Sequence, residues 1–306
     1  MADRGRIDAL PLGGENGLPF SKGLLARALT VIGLSPTRAW ELALRVEDDM
    51  AARGVDTVAP ERLEELAREL LVDDQGVGAV LRLRRYRDLQ RLDLPIIVLV
   101  GGGTGTGKSR VATEIAYRLG ITRVTSTDFI RQTMRAFFSE EFMPTIHYSS
   151  FEAGAGVADE PGTPHPVLAG FLDQTRNVLV GVRAVIERAL QEGWSMVLEG
   201  VHLVPGMLPP VEGALAVQCV LAVEEEEVHA ANFWVRDHAT EGLRPVHRYL
   251  DALPDIRFIQ SYIADRARRA GVPVIENSDI DATIAGVMEL VLAGAEQLES
   301  VAGGVR

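Results

Sequence analysis

The stretch PIIVLVGGGTGTGKS, Pro95 to Ser109, decides how the rest of the chain is read. Its first half is an unbroken apolar run, the pattern of a strand buried on both faces. Its second half spaces Gly102, Gly107, Lys108 and Ser109 as G-x-x-x-x-G-K-S. A strand that delivers such a loop to a helix builds a nucleoside triphosphate site. Main-chain amides wrap the phosphates, and the helix N-terminus adds the positive end of its dipole. The spacing predicts Gly103, Thr104, Gly105, Thr106 and Gly107 as the cradle. It places Lys108 on the β- and γ-phosphates, Ser109 on Mg²⁺ and Arg110 in the first helical turn beside the nucleotide. Lysine is scarce, with Lys22 and Lys108 the only two among 31 basic residues, so a chance match is rare. The apolar stripe Val111, Ala112, Ile115, Ala116 and Leu119 predicts the helix that the motif requires. No register of these glycines gives the G-x-G-x-x-G of a dinucleotide site.

The chain has 306 residues, enough for one large domain or two ordinary ones. A hydrophobic fraction of 47 % and a charged fraction of 24 % describe a globular protein. A net charge of −12 argues against non-specific nucleic-acid binding, because phosphates would be repelled. A site for an anionic substrate must therefore gather its cations locally. The lone cysteine, Cys219, sits in an apolar run and reads as a small buried hydrophobe. The six histidines show no zinc-helix spacing, so no structural metal is expected. No apolar run approaches the length of a membrane span, and the N-terminus lacks a signal-peptide core, which makes the cytoplasm the expected location.

Residues 1–92 read as a helical module, with helical periodicity over Lys22 to Ile32, Pro36 to Ala52 and Pro60 to Leu71 and an arginine-rich connecting helix over Val80 to Leu92. From residue 93 to 306 strands and helices alternate. Strand-like runs fall at Ile96 to Val100, Arg123 to Thr127, Ser195 to Leu198, Ala214 to Val223 and Val272 to Ile275. Amphipathic helices cover Ser109 to Leu119, Asn177 to Gln191, Asp255 to Ala270 and Ile280 to Leu298, and Gly154 to Pro166 reads as a long loop. The alternation predicts an α/β architecture with a central parallel sheet flanked by helices, plus a small, mostly helical N-terminal domain.

In such sheets ligands bind beyond the carboxyl ends of the strands. Asp128 and Glu199 each end a strand there, and phosphoryl transfer needs one carboxylate to orient a hydroxyl and another to manage Mg²⁺, directly or through water. Which does which stays open. Arg131 and Arg135 lie one helical turn apart just after Asp128 and suit an anionic acceptor, since the guanidinium fork binds carboxylate or phosphate bidentately. Arg236, Arg244 and Arg248, in a segment broken by Gly242 and Pro245, read as a lid, with Arg236 brought onto the transferring phosphoryl and Arg244 closing over the acceptor. A GTPase would need N-K-x-D, and neither lysine follows an asparagine.

Five stretches together resemble the 2-phosphoglycerate kinase family: GGTGTGKS (102–109), TSTDFIRQTMR (125–135), MPTIHYSSFEAG (143–154), VLEGVHLVPG (197–206) and RYLDALPDIRFIQSYI (248–263). The resemblance implies a P-loop kinase fold and transfer of the ATP γ-phosphoryl to a small anionic alcohol, 2-phosphoglycerate, with Mg²⁺. It carries over Lys108, Ser109, Asp128, Arg131 and Glu199, and adds His147, Ser149, Ser150 and Glu152 as a substrate-side loop. Residues 18–50 look like an ATP-cone module, although only Arg4 and Arg6 stand where that module usually has a basic pair. A structural or homo-oligomerising role for this module is an equal reading. Two alternatives stay open: a kinase of the same build for another hydroxylated metabolite, and a nucleotide sensor that binds without transfer.

Overall fold

The structure is a computed structural model. It describes residues 20–70, 78, 82, 85, 86, 88, 89, 92–157, 165–239 and 246–303, with the side chains of 236–239, 299 and 301–303 excepted. Of the readings above, Arg4, Arg6, Arg244, much of the connecting helix and the middle of the Gly154 to Pro166 loop lie outside the described residues, as does the side chain of Arg236. The chain forms two compact units, Met1–Asp93 with Leu292–Arg306, and Leu94–Val291.

In the first unit, α1 (Lys22–Val31), α2 (Pro36–Arg53) and α3 (Pro60–Leu70) bury Leu25, Leu29, Leu42, Val46, Leu63 and Leu66. Local chemistry sets the limits of α2. The Ser35 hydroxyl accepts from the Arg38 amide, Pro36 occupies the first turn, and Gly54 closes the helix in the left-handed conformation. Arg62 of α3 pairs with Asp49 of α2 at 2.7 Å, and Lys22 with Glu47 at 2.7 Å.

The second unit is built on five parallel strands in the order β2-β3-β1-β4-β5: β1 (Ile96–Gly102), β2 (Val124–Ser126), β3 (Met196–Glu199), β4 (Leu215–Ala222) and β5 (Val274–Glu276). After β1 come α4 (Lys108–Leu119), β2, α5 (Thr127–Arg135), two short 3₁₀ turns (Pro144–His147 and Ala153–Gly156) and α6 (Pro166–Gln191). After β4 come α7 (Glu226–Ala239), α8 (Val246–Asp251), α9 (Leu253–Arg269), β5 and α10 (Ile280–Gly303). The chain winds one way from β1 to β2 and the other way from β4 to β5. That reversal opens a crevice at the carboxyl ends of β1 and β3.

Every residue of β1 is buried, as a central strand covered on both faces demands. One face packs Ile97, Leu99, Met196 and Leu198 against Ile130, Val178 and Val182 of α5 and α6. The other packs Val220 against Phe233, Ile256, Ile259 and Ile263 of α7 and α9. Each fully buried side chain of this size contributes roughly 1.5 to 3 kcal/mol. Cys219 is buried within β4, where desolvation pushes its thiol up to about 12. Helix α6 starts earlier than periodicity alone indicates: Pro166, not Asn177, takes its first turn. No helix among the described residues is long and apolar enough to cross a membrane.

Candidate active site

Beyond the carboxyl ends of the strands lies a cleft of about 1130 Å³, and residues from nearly every sequence stretch singled out above line it. The phosphate loop forms one wall. The carbonyl of Gly103 accepts from Lys108 Nζ at 2.5 Å and from Thr106 Oγ1 at 3.0 Å. The next three carbonyls are each pinned by a side chain from elsewhere: Thr104 by His229 Nε2 at 2.7 Å, Gly105 by Asn232 Nδ2 at 2.9 Å and Thr106 by Asn277 Nδ2 at 2.8 Å. The amides of Thr104 to Gly107 donate to no backbone carbonyl among the described residues. With the carbonyls engaged from behind, the amides are what the loop offers to an anion. Gly105, at φ +86°, must be glycine twice over: a Cβ would strike the Phe233 ring and His229, and an L side chain would strain the backbone.

Ser109 Oγ donates to Glu199 Oε1 at 2.9 Å. Burial pushes the Glu199 carboxyl up; Lys108 and the Ser109 hydrogen bond act against this without cancelling it, and Asp128 adds to it. Asp128 differs. It stands in the first turn of α5, which the Ser126 hydroxyl caps by accepting from the Phe129 amide at 3.0 Å. Its side chain is 68 % exposed toward the cleft, with Arg131 Nε at 3.5 Å. Partial desolvation raises its carboxyl, but His202 when protonated, Arg131 and Lys108 outweigh that and hold it below the ordinary value. The two acids left undivided by sequence thus have separate surroundings, Glu199 buried beside Ser109 and Asp128 open to the cleft.

The opposite wall is the loop from Thr145 to Ser150. Arg131 Nη1 donates to the carbonyls of Ile146 at 2.9 Å and Tyr148 at 2.7 Å. Gln174 Nε2 donates to Thr145 O at 2.5 Å and Tyr148 O at 3.0 Å. Because the Gln174 amide nitrogen is so used, its Oε1 must accept, and His202 Nε2, 2.9 Å away, must carry the proton. His202 Nδ1 is then an acceptor, and the Thr127 hydroxyl at 2.8 Å donates to it. Burial lowers the His202 imidazole to about 4, in keeping with a neutral ring. A buried chain of hydrogen bonds therefore links Thr127, next to Asp128, to the carbonyls of the facing loop. Gly200, at φ +150°, makes room for it, since a Cβ there would collide with Thr127.

No family model matches the chain. Among curated proteins, a 2-phosphoglycerate kinase from Methanothermobacter thermautotrophicus is 41 % identical over 275 residues, 89 % of each chain. One from Methanopyrus kandleri is 37 % identical over 276 residues, 90 % of this chain and 84 % of its own. One from Pyrococcus horikoshii is 35 % identical over 286 residues, 94 % of each. The chain belongs to the 2-phosphoglycerate kinase family. Among solved structures, a gluconokinase from Sinorhizobium meliloti superposes on 70 % of this chain and 99 % of its own, with 18 % identity and a TM-score of 0.38, too loose a likeness to argue from.

Within this family member, Lys108, Ser109, Arg110, Asp128, Arg131, Ser149, Ser150 and Glu199 all line the one cleft. Gly103, Thr106 and Glu152 are not among its lining residues, and two further candidates turn to other partners. Arg135 donates to Gln132 Oε1 on its own helix at 3.1 Å, and His147 Nε2 meets Phe138 O at 3.0 Å. Both angular positions follow from the helix: Arg131 faces inward, and Arg135, four residues on, lies one turn farther from the strand end. Sequence reasoning missed His229, Asn232, Asn277, Gln174 and His202. Only His202 falls inside a quoted stretch, 197–206, where it was not singled out, and each of the five acts on a backbone carbonyl or through another side chain.

Proposed function

We propose that this protein transfers the γ-phosphoryl group of ATP to the free hydroxyl of 2-phosphoglycerate, giving 2,3-bisphosphoglycerate and ADP. The observation that carries this is that the phosphate loop and a second set of charged groups, Asp128, Arg131 and Arg248 with the Ser149 and Ser150 hydroxyls, face the same cleft. The family relationship supplies the acceptor.

The loop amides from Gly103 to Lys108 would bind the phosphates, with Lys108 reaching the β- and γ-groups and Arg110 at the start of α4. Ser109 and Glu199 are hard oxygen donors 2.9 Å apart, and among the described residues no cluster of three His, Cys, Asp or Glu could form an all-protein metal cage. That set suits Mg²⁺, which takes one or two protein oxygens and completes its shell with phosphate and water. Bound with the nucleotide, it neutralises charge on the phosphoryl oxygens. Asp128 would accept a hydrogen bond from the acceptor hydroxyl and orient it in line with the γ-phosphorus. The new O–P bond forms as the bond to the ADP oxygen breaks, and the hydroxyl proton passes to Asp128 or to water. Arg131 would hold both Asp128 and the facing loop in place. Arg236 of α7 and Arg244, which follows that helix in the sequence, would close over the site, and the reaction would take place in the cytoplasm.

The test is Mg²⁺-dependent ADP release against a panel of 2-phosphoglycerate, 3-phosphoglycerate and glycerate, with products identified by mass. Stimulation by 2-phosphoglycerate with appearance of the bisphosphate is the expected outcome. Tight ATP binding with no stimulation across the panel would overturn the assignment.

A further inference from the structure

The scheme above places Arg248 at the cleft but leaves the role of its ion pair with Glu152 open. Arg248, in α8, donates from Nε to Glu152 Oε1 at 2.9 Å and from Nη2 to Glu152 Oε2, a bidentate pair, and Nη2 also reaches Ser149 Oγ at 3.1 Å. The pair joins α8 to the residue that caps the second 3₁₀ turn. It is not an interior brace: the Arg248 side chain is 52 % exposed and that of Glu152 34 %. Arg248 nevertheless lines the cleft, and its guanidinium keeps Nη1 without a protein acceptor among the described residues.

The other cations at the cleft have different duties. Lys108 and Arg110 belong to the donor side, where Arg110 also borders a second hollow against Ile280 and Asp281. Arg131 gives Nη1 to two backbone carbonyls and turns Nε toward Asp128. An acceptor with two anionic groups needs a cation that can exchange partners: Arg131 is 13 % exposed and committed to two carbonyls as well as to Asp128, whereas Arg248 is 52 % exposed and held by Glu152 and the Ser149 hydroxyl. The Ser149 hydroxyl touches it, and the Ser150 hydroxyl lies 3.4 Å from Thr104 Oγ1 of the phosphate loop.

We propose that Arg248, with the hydroxyls of Ser149 and Ser150, is the subsite for the phosphate group of the acceptor, and that Glu152 occupies the guanidinium as an internal competitor which the acceptor displaces. This rests on the proposed function for the identity of the acceptor. The pairing makes the site selective by charge. A bidentate carboxylate is displaced by a phosphate dianion, which offers more acceptor oxygens and more charge, and poorly by an alcohol or a monocarboxylate. Glycerate, lacking the phosphate, leaves the Glu152 to Arg248 pair closed.

Three proteins test it: wild type, Arg248→Ala and Glu152→Gln, with the folded state of each checked by circular dichroism. Arg248→Ala is expected to raise the KM for 2-phosphoglycerate about 10- to 100-fold, the range of a lost charged hydrogen bond, with the KM for ATP unchanged. Glu152→Gln is expected to act in the opposite direction, lowering that KM several-fold and narrowing the preference for 2-phosphoglycerate over glycerate. A purely structural pair would make both variants fail alike, so an equal rise in KM, or no change in Arg248→Ala, overturns the subsite. If wild type does not turn over 2-phosphoglycerate, the functional reading fails, and the subsite is judged by calorimetric titration with inorganic phosphate. Weaker binding in Arg248→Ala and tighter binding in Glu152→Gln then sustains it, and equal binding in all three overturns it.

Discussion

The phosphate loop, Gly103 to Lys108, and the facing loop, Thr145 to Ser150, are both fastened by their carbonyls, but the fastenings differ in kind. His229, Asn232 and Asn277 each pin one carbonyl of the phosphate loop, and no bond joins one pin to the next. The facing loop hangs from a series instead: Thr127 to His202, His202 to Gln174, Gln174 to Thr145 and Tyr148, with Arg131 adding a second hold on Tyr148. Separate pins fail one at a time, and their costs add. Members of a buried series fail together, because each orphaned group is left desolvated and its neighbour loses its orientation.

The largest effect belongs to neither fastening. Lys108→Ala removes a charge that no pin can replace, and turnover is expected to fall by at least ~10²-fold with the fold intact by circular dichroism; near-normal turnover would remove the phosphate-loop assignment. Next is the series. Gln174→Leu takes one donor from each of the Thr145 and Tyr148 carbonyls and leaves the His202 Nε2 proton without its acceptor, so kcat is expected to fall about 100-fold while the KM for ATP stays within about twofold. The Gln174→Leu, His202→Phe double variant should be little worse than the single one, and full additivity of the two losses would contradict a series.

Acid should strike the series as well. The His202 imidazole is lowered from 6.5 to about 4, so the unfolded chain binds the proton more tightly than the native one. Its contribution is fully present above pH 6.5 and is lost as pH falls toward 4, and at pH 5 the loss is about 2 kcal/mol. Denaturant unfolding at pH 7.5 and pH 5 should show this drop in wild type and a shallower one in His202→Gln. An equal drop in both would mean that the ring does not stay neutral. The smallest effect is on the pins. Asn277→Ala is expected to raise the KM for ATP about tenfold and leave the KM for the acceptor alone. Combined with Asn232→Ala, the two free-energy costs should add.

The difference between the loops also decides how much of each could be read beforehand. The phosphate loop is contiguous, and its chemistry lies in backbone amides that glycine spacing alone predicts, so Gly102, Gly107, Lys108 and Ser109 announce it. Asp128, Glu199 and Arg131 were legible because strand ends point at the cleft. The different surroundings of the two acids were not, since they arise only when Glu199 is buried against Ser109 while Asp128 opens to solvent. Arg135 and His147 looked equal to Arg131 and Ser149 in the sequence, but their side chains turn to Gln132 and Phe138.

By itself the sequence determined the strand, the loop, the alternation that makes a parallel sheet and the residue types at the strand ends, because these follow from local periodicity and short-range steric rules. Only the tertiary structure decided which carbonyls Gln174, Asn232 and Asn277 would hold, which way the His202 proton points and that Arg248 meets Glu152. Each of those bonds joins residues at least 26 positions apart in the chain. A polar side chain carries no mark of its distant partner, and its hydrogen-bond direction exists only once packing has removed water and left one acceptor in reach.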